Sequence, residues 1–334
     1  LDLGLNFKRS VEFSTAGKRM GLTRRDFLVG MGAIFTSQIL LPSVMRGATI
    51  DSQLKPLRLG FMTDCHATSE RNAPAWLEQT APLMNSLRPD LVIGGGDFVD
   101  GGFHYPGSIM EEHWKLSGSF LKKIEARVEP VIGNHDFYEP LRADGSPCGK
   151  DPRWRFKKQF SLERSYRSFE YGGYRFIILD SVNVVGGFTP YRGLIDDAQL
   201  LWLDQELKGI PPDQPIILCT HIPFKTSLNI GFGTLLASSQ GRFHVLNSDL
   251  VMEKLKDRPV ILILQGHVHI NERIELGGIP CITGGAVCGN WWHGPNMGTY
   301  PGLGVIEILP DTGSNGRTRS TEWIYSNTPT PPQT

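Results

Sequence analysis

The sequence predicts an α/β fold, and three observations carry that prediction. Five apolar runs of strand length recur along the chain. Segments with helical spacing stand between several of them. Each run leads into an Asp, Asn or His, which is where α/β folds gather ligand-binding groups, at the carboxyl ends of strands. With 334 residues, 40% hydrophobic and 20% charged, the chain is long and apolar enough to bury a large core. Lys+Arg and Asp+Glu balance at 34 each, so there is no electrostatic case for nucleic acid or an anionic membrane surface as partner. The cysteines Cys65, Cys148, Cys219, Cys281 and Cys288 show no CxxC spacing, which argues against a disulfide framework or a thiolate zinc knuckle.

The chain is expected to divide into an N-terminal extension and signal segment over 1–50, a main domain over 55–326 and a disordered tail over 327–334. Arg24 and Arg25 precede Asp-Phe-Leu and a charge-free, mostly apolar stretch of ~18 residues, the pattern of a twin-arginine export signal. Export to the periplasm, through the twin-arginine machinery, is the expectation. Arg46 stands where a cleavage site wants a small residue, so an uncleaved segment would remain as a membrane anchor, although its length is marginal for a span. Met20 sits where a short signal would begin, and translation is expected to start there.

In the body of the chain, "LRLGFMTD" reads as a buried strand ending at Asp64. "APAWLEQTAPLMNSL" has helical spacing, with a turn or kink expected at Pro82. "DLVIGGGD" is the second run, ending at Asp97, and "SIMEEHWKLSGSFLKKIEA" is an amphipathic helix. "VEPVIGNHD" leads to Asn134 and His135. "FEYGGYRFIILD" is a hairpin about Gly172-Gly173, and "DDAQLLWLDQEL" a helix capped by Asp196. "PIILCTHIP" leads to His221, "NSDLVMEKLK" is helical, and "VILILQGHVH" leads to His267 and His269. If that last run stays extended, the two histidines share one face. Strands near 280, 305 and 323 complete the domain.

The motifs "DCH" (64–66), "GDFVD" (96–100), "GNHD" (133–136), "THIP" (220–223) and "GHVH" (266–269), in this order, resemble the calcineurin-like metallophosphoesterase superfamily. The resemblance covers about residues 57 to 309 and implies a four-layer α/β/β/α sandwich of two mixed β-sheets flanked by helices. It also implies a dinuclear centre of divalent or trivalent ions, with Asp64, His66, Asp97 and His269 on one ion and Asp97, Asn134, His221 and His267 on the other. Cations about 3.5–4 Å apart need a shared anionic ligand, the role implied for Asp97. Mixed nitrogen and oxygen ligation suits Mn, Fe or Zn. A hydroxide between the cations would attack phosphorus in a mono- or diester. His135 would assist the leaving group, with Asp100 orienting it.

Departures narrow the comparison. Gly101 replaces the Arg that follows GDxxD in phosphoprotein phosphatases, and Asp100 replaces the Tyr of purple acid phosphatases. The sequence is most similar to exported bacterial phosphoesterases and to bacterial cyclic-nucleotide phosphodiesterases, so a cyclic nucleotide is the alternative substrate. A non-catalytic exported metal-binding protein on the same scaffold is a third reading, which the full ligand set disfavours.

"GGAVCGNWWHGP" (284–295) offers Trp291, Trp292 and His293 either as a lid contacting substrate or as a core tryptophan pair in a tight loop. His104 is either next to substrate or a surface residue. His113 is expected to face solvent, as is the basic run "RWRFKK" (153–158), and His244 to lie at the surface or at a helix start. Cys65 is expected to be a buried spectator. Gly94-Gly95-Gly96, with no Lys-Ser/Thr after it, is expected to serve close backbone approach.

Overall fold

The computed structural model describes residues 54–187, 190–228, 240–310 and 319–330. The signal segment with Arg24, Arg25 and Met20 lies outside them. The elements run β1 (Leu57–Met62), α1 (Ala73–Ser86), β2 (Leu91–Gly94), α2 (Gly107–Leu121), β3 (Val128–Pro130) and α3 (Trp154–Phe160). Next come β4 (Arg167–Tyr171), β5 (Tyr174–Ile178), β6 (Val182–Val184), β7 (Tyr191–Gly193), α4 (Asp197–Gly209) and β8 (Ile216–Cys219). The chain closes with α5 (Ser248–Leu255), β9 (Val260–Gln265), β10 (Glu272–Leu276), β11 (Ile279–Thr283), β12 (Gly302–Pro310) and β13 (Arg319–Asn327). None of the described helices is long and apolar enough to cross a membrane.

Two large mixed sheets form the centre. One has the order β13-β12-β1-β2-β3 and the other β10-β11-β9-β8-β5-β4. Within them β1, β2 and β3 are mutually parallel, as are β5, β8, β9 and β11, while β12, β13, β10 and β4 run antiparallel to their neighbours. Strand alternation explains the layering. Leu57, Leu59 and Phe61 of β1 pack in one buried cluster with Tyr174, Phe176 and Ile178 of β5 and with Leu262 and Leu264 of β9, between the sheets. Met62, Val92, Ile177, Leu218 and Ile263 pack instead with Leu77 and Met84 of α1, Trp114 of α2, Leu203 of α4 and Val251 of α5. Each such buried side chain contributes about 1.5–3 kcal/mol. The α/β/β/α sandwich of the sequence reading is therefore the fold.

Several local expectations hold with visible causes. Asp196 caps α4, its Oδ1 accepting from Gln199 N at 2.8 Å. The β4–β5 hairpin turns through Gly172 and Gly173, whose φ of 62° and 87° a side chain would resist. Others do not hold. Helix α1 continues through Pro82, because Leu77, Ala81 and Met84 stay packed in the core. Within the stretch read as tail, Asn327 closes β13 and Thr328 N donates to Pro301 O at 2.8 Å, while 331–334 lie outside the described residues. The run at 153–158 is not a solvated face. Arg153 pairs with Asp180 and lies 4.7 Å over the Phe137 ring, and Arg155 bonds Glu111 at 2.9 Å. His244 is half-buried in a loop that precedes α5, not on a helix.

Candidate metal centre

The strands β1, β2, β3, β8 and β9 end at Met62, Gly94, Pro130, Cys219 and Gln265, and the chemistry-bearing residues follow a few positions later, in the loops. This corrects the extended reading of GHVH. His267 and His269 have φ of 74° and 54°, a left-handed backbone in which the i and i+2 rule for strands does not operate. Asp64, His66 and Asp97 are left-handed as well, with φ of 55°, 38° and 55°. Five of these polar residues thus sit in a conformation that side chains rarely adopt, as concentrated strain at a functional site does.

The loops bring Asp64, His66, Asp97, His221, His267 and His269 together, and Asn134 adjoins them in the loop whose His135 N bonds Asp97. His66 Nε2 lies 3.1 Å from His269 Nε2, 3.8 Å from Asp64 Oδ1 and 3.6 Å from Asp97 Oδ2. His269 Nε2 is 3.4 Å from Asp64 Oδ1. On the other side of Asp97, its Oδ2 is 3.1 Å from His221 Nε2. The ligand atoms of Asp97, His221 and His267 converge to within 4.8 Å of one another, as do those of Asp64, His66 and Asp97.

Backbone carbonyls fix the imidazole tautomers. A carbonyl only accepts, so His221 Nδ1 donates to Gly95 O at 2.8 Å, His269 Nδ1 to Gly289 O at 2.7 Å, and His267 Nε2 to Arg242 O at 2.8 Å. The opposite ring nitrogen of each therefore turns a lone pair toward the carboxylates, the arrangement that prepares a histidine to bind a cation. Between such a lone pair and the Asp97 carboxylate, 3.1 Å from His221 Nε2, a proton or a cation is required. Two further observations fit a cation. His221 Nε2 and Asn134 Oδ1 are buried atoms with no hydrogen-bond partner among the described residues.

The electrostatics follow from this crowding. Burial opposes ionisation of Asp64, yet His269 and His66 hold it well below the usual carboxylate range. Burial likewise opposes ionisation of Asp97, and His221 and His135 pull it down. Burial disfavours a proton on His221, but the Asp97 carboxylate 3.1 Å away lifts that imidazole to about 9. His267, half-buried, is pushed down to about 3 by loss of solvation and by His221.

Close packing requires the glycines. A Cβ on Gly96 would lie 2.5 Å from His221 Nδ1, and one on Gly133 would lie 2.1 Å from Asp97 Oδ1. The expectation that the triple glycine serves backbone approach is met on this geometry.

Around the centre, His135 lies with its ring 4.6 Å from that of His66, and its Nδ1 is 3.5 Å from Asp100 Oδ1, an ion-pair distance. His135 N donates to Asp97 Oδ1 at 2.7 Å. Trp291 covers this edge, 4.2 Å from His66 and 5.0 Å from His135 between centroids. His104, His293 and Trp291 line one pocket of about 560 Å³ with Asp100, His135, Arg71 and Tyr105. Trp292 does not belong to it. That side chain is buried, and its Nε1 donates to His66 O at 2.9 Å, so it buttresses the DCH loop from behind. The tryptophan pair divides into one residue at the site and one in the core.

Three residues escaped the sequence reading. Asp136 is buried and accepts from Asp97 N at 2.9 Å, Phe98 N at 2.8 Å and Gly133 N at 2.8 Å, tying two motif loops together. Burial, then the charge of Asp97, raises its carboxyl well above the usual range. Its place at the end of GNHD was the available signal. His113 was expected in solvent but is buried, its Nδ1 against Asp100 O and its Nε2 3.2 Å from Thr68 Oγ1. Its position beside Trp114, on the apolar side of α2, was the clue. Cys288 lies buried with its Sγ 3.7 Å from His269 Nδ1, in the loop noted only for its tryptophans. Cys65 is a buried spectator, its thiol raised by burial and by Asp64.

Comparison with known proteins places this geometry. The chain is 28% identical over 208 residues to a cAMP/cGMP dual specificity phosphodiesterase of Mycobacterium tuberculosis, covering 61% of this chain and 56% of that protein. It is 28% identical over 193 residues to an Arcobacter nitrofigilis protein named "Probable glycerophosphodiester phosphodiesterase", covering 56% of this chain and 59% of the relative. The chain thus spans little more than half the length of these relatives. A dimetal phosphatase from Danio rerio shares the fold, with a TM-score of 0.52 at 14% identity over 80% of this chain and 99% of that one. Residues 57–271, more than half of the chain and including all five motif loops, match the Calcineurin-like phosphoesterase family, and the chain belongs to that family.

Proposed function

We propose that this protein is a metal-dependent phosphoester hydrolase with two ions at the centre just described. The observation that carries the reading is Asp97, whose Oδ2 stands 3.6 Å from His66 Nε2 on one side and 3.1 Å from His221 Nε2 on the other. Asp64, His66 and His269 would hold one ion, Asn134, His221 and His267 the other, and Asp97 both. Bound there, the ions (Mn, Fe or Zn on the donor set) supply Lewis-acid charge beside the phosphoryl oxygens and make water nucleophilic at neutral pH.

The remaining roles belong to the chain. His135 faces the pocket beside the centre and donates a proton to the leaving oxygen, while Asp100 directs its Nδ1. His113 holds the Asp100 backbone in place. Trp291 shields the His66 and His269 edge from water. The names of the relatives favour diesters over monoesters, and the cyclic-nucleotide reading draws on one of them. Arg24 and Arg25 support export by the twin-arginine route to the periplasm, ahead of a domain from 55.

The test is metal analysis of purified protein followed by hydrolysis of p-nitrophenyl phosphate, bis-p-nitrophenyl phosphate and cyclic AMP with added Mn, Fe or Zn. The reading predicts metal-dependent turnover with the diester preferred. Metal-loaded protein that hydrolyses none of them would return the chain to the binding-protein reading.

A further inference from the structure

A second cavity, of about 950 Å³, adjoins the catalytic pocket, and His104 and Tyr105 line both. Its wall is unlike that of the centre. Phe103, Tyr105, Tyr138 and Trp154 supply aromatic rings, and Lys150, Glu139 and Asp151 supply charge. These rings are held in place. Phe103 stacks on Tyr191 at 5.3 Å, and Tyr138 meets Trp154 edge-on, with centroids 4.9 Å apart at 63°. Tyr138 N donates to Pro152 O at 2.7 Å, and Glu139 Oε1 accepts from Gly107 N at 2.9 Å, so the loop after GNHD is pinned to the start of α2. Trp154 is nevertheless 41% exposed, leaving ring surface open.

From this geometry we infer that the second cavity is a subsite for a planar heteroaromatic substituent, such as a nucleobase, carried by the phosphoester. The inference rests on the phosphoester reading above and deepens it. A bare phosphoryl group fills only the space beside the centre and has no use for a second cavity. Ring faces bind flat groups by stacking, whatever their hydrogen-bond pattern. Lys150 and Glu139, exposed at the rim, offer a donor and an acceptor to ring heteroatoms. Continuity through His104 and Tyr105 puts a substituent there while its phosphate stays beside His135.

Calorimetric titration of the metal-loaded protein with inorganic phosphate, glycerol 3-phosphate and thymidine 5′-monophosphate tests this without turnover. The nucleotide is expected to bind at least ~10-fold more tightly than either other probe. Trp154→Ala should cut that advantage by about 10-fold, and Trp154→Phe should restore most of it. Equal affinity for nucleotide and glycerol phosphate, or an advantage that Trp154→Ala leaves intact, overturns the subsite. Failure of the parent reading has a different signature: no hydrolysis in the ester panel, whatever the order of these affinities.

Discussion

Asp97 and His135 touch, yet they fail differently when changed. Asp97→Asn removes the anion that faces both imidazole groups, so metal content and turnover should both collapse, read by elemental analysis and by ester hydrolysis. His135→Ala leaves every proposed ligand in place and should retain metal while turnover falls by about 10²–10⁴-fold, the usual range for general acid–base assistance. Asp136 is a third case, because its carboxylate accepts from three backbone N–H groups across two loops. Asp136→Ala orphans all three, and a denaturant melt should show a loss of about 3 kcal/mol or more. At this scale the sequence was legible wherever a residue type announces its chemistry. Asp64, His66, Asp97, His221, His267 and His269 lie together in the structure, and Asn134 stands in the adjoining loop. His113 was misread, and Trp292 was left open between lid and core, because type and spacing do not reveal which side of a loop or helix faces the sheet. Only packing settles that, and it buries both.

The elements that matter are the steps from strand to loop. Each strand is stabilised by apolar burial between or outside the sheets, and β1, β2 and β9 then release the chain into loops whose ligand residues Asp64, His66, Asp97, His267 and His269 are left-handed, whereas Asn134 follows β3 in a short 3-10 turn. Apolar runs made the strands visible in the sequence, but not where they stop. GHVH read as a strand end because it follows the apolar run 260–264 and spaces its histidines two residues apart, whereas the strand stops at Gln265 and Gly266 packs against Thr63 too closely for a side chain. Pro82 read as a break because its local cost is real, about 3 kcal/mol, and the packing of α1 outweighs it. The turns themselves are testable. In Gly133→Ala the added carbon meets Asp97 Oδ1, so Asp97 must shift by roughly 1 Å and activity should fall by about 10²-fold, with the fold retained by circular dichroism.

For the whole molecule, the two sheets bring residues separated by about 200 positions in sequence to one rim, such as Asp64 and His267, whose backbone N lies 3.0 Å from Asp64 Oδ2. A centre assembled this way couples ions to global stability. Chelation should lower the melting temperature by about 5 °C or more, and metal addition should restore it, as follows when ions bind the folded state alone. The layered fold and the order of its motifs were readable in the sequence because five strand ends carried the same kind of group. The wall of the second cavity was not, since Tyr138 and Trp154 meet only after the loop after GNHD closes onto α2.

The account stands on one shared carboxylate between two groups of imidazoles. Elemental analysis of the purified protein and of Asp97→Asn measures this most directly. The account predicts about two equivalents of transition metal per active chain, with both lost together in the variant. Full diester hydrolysis by protein carrying no metal, or an Asp97→Asn variant that keeps both ions and its turnover, would contradict it.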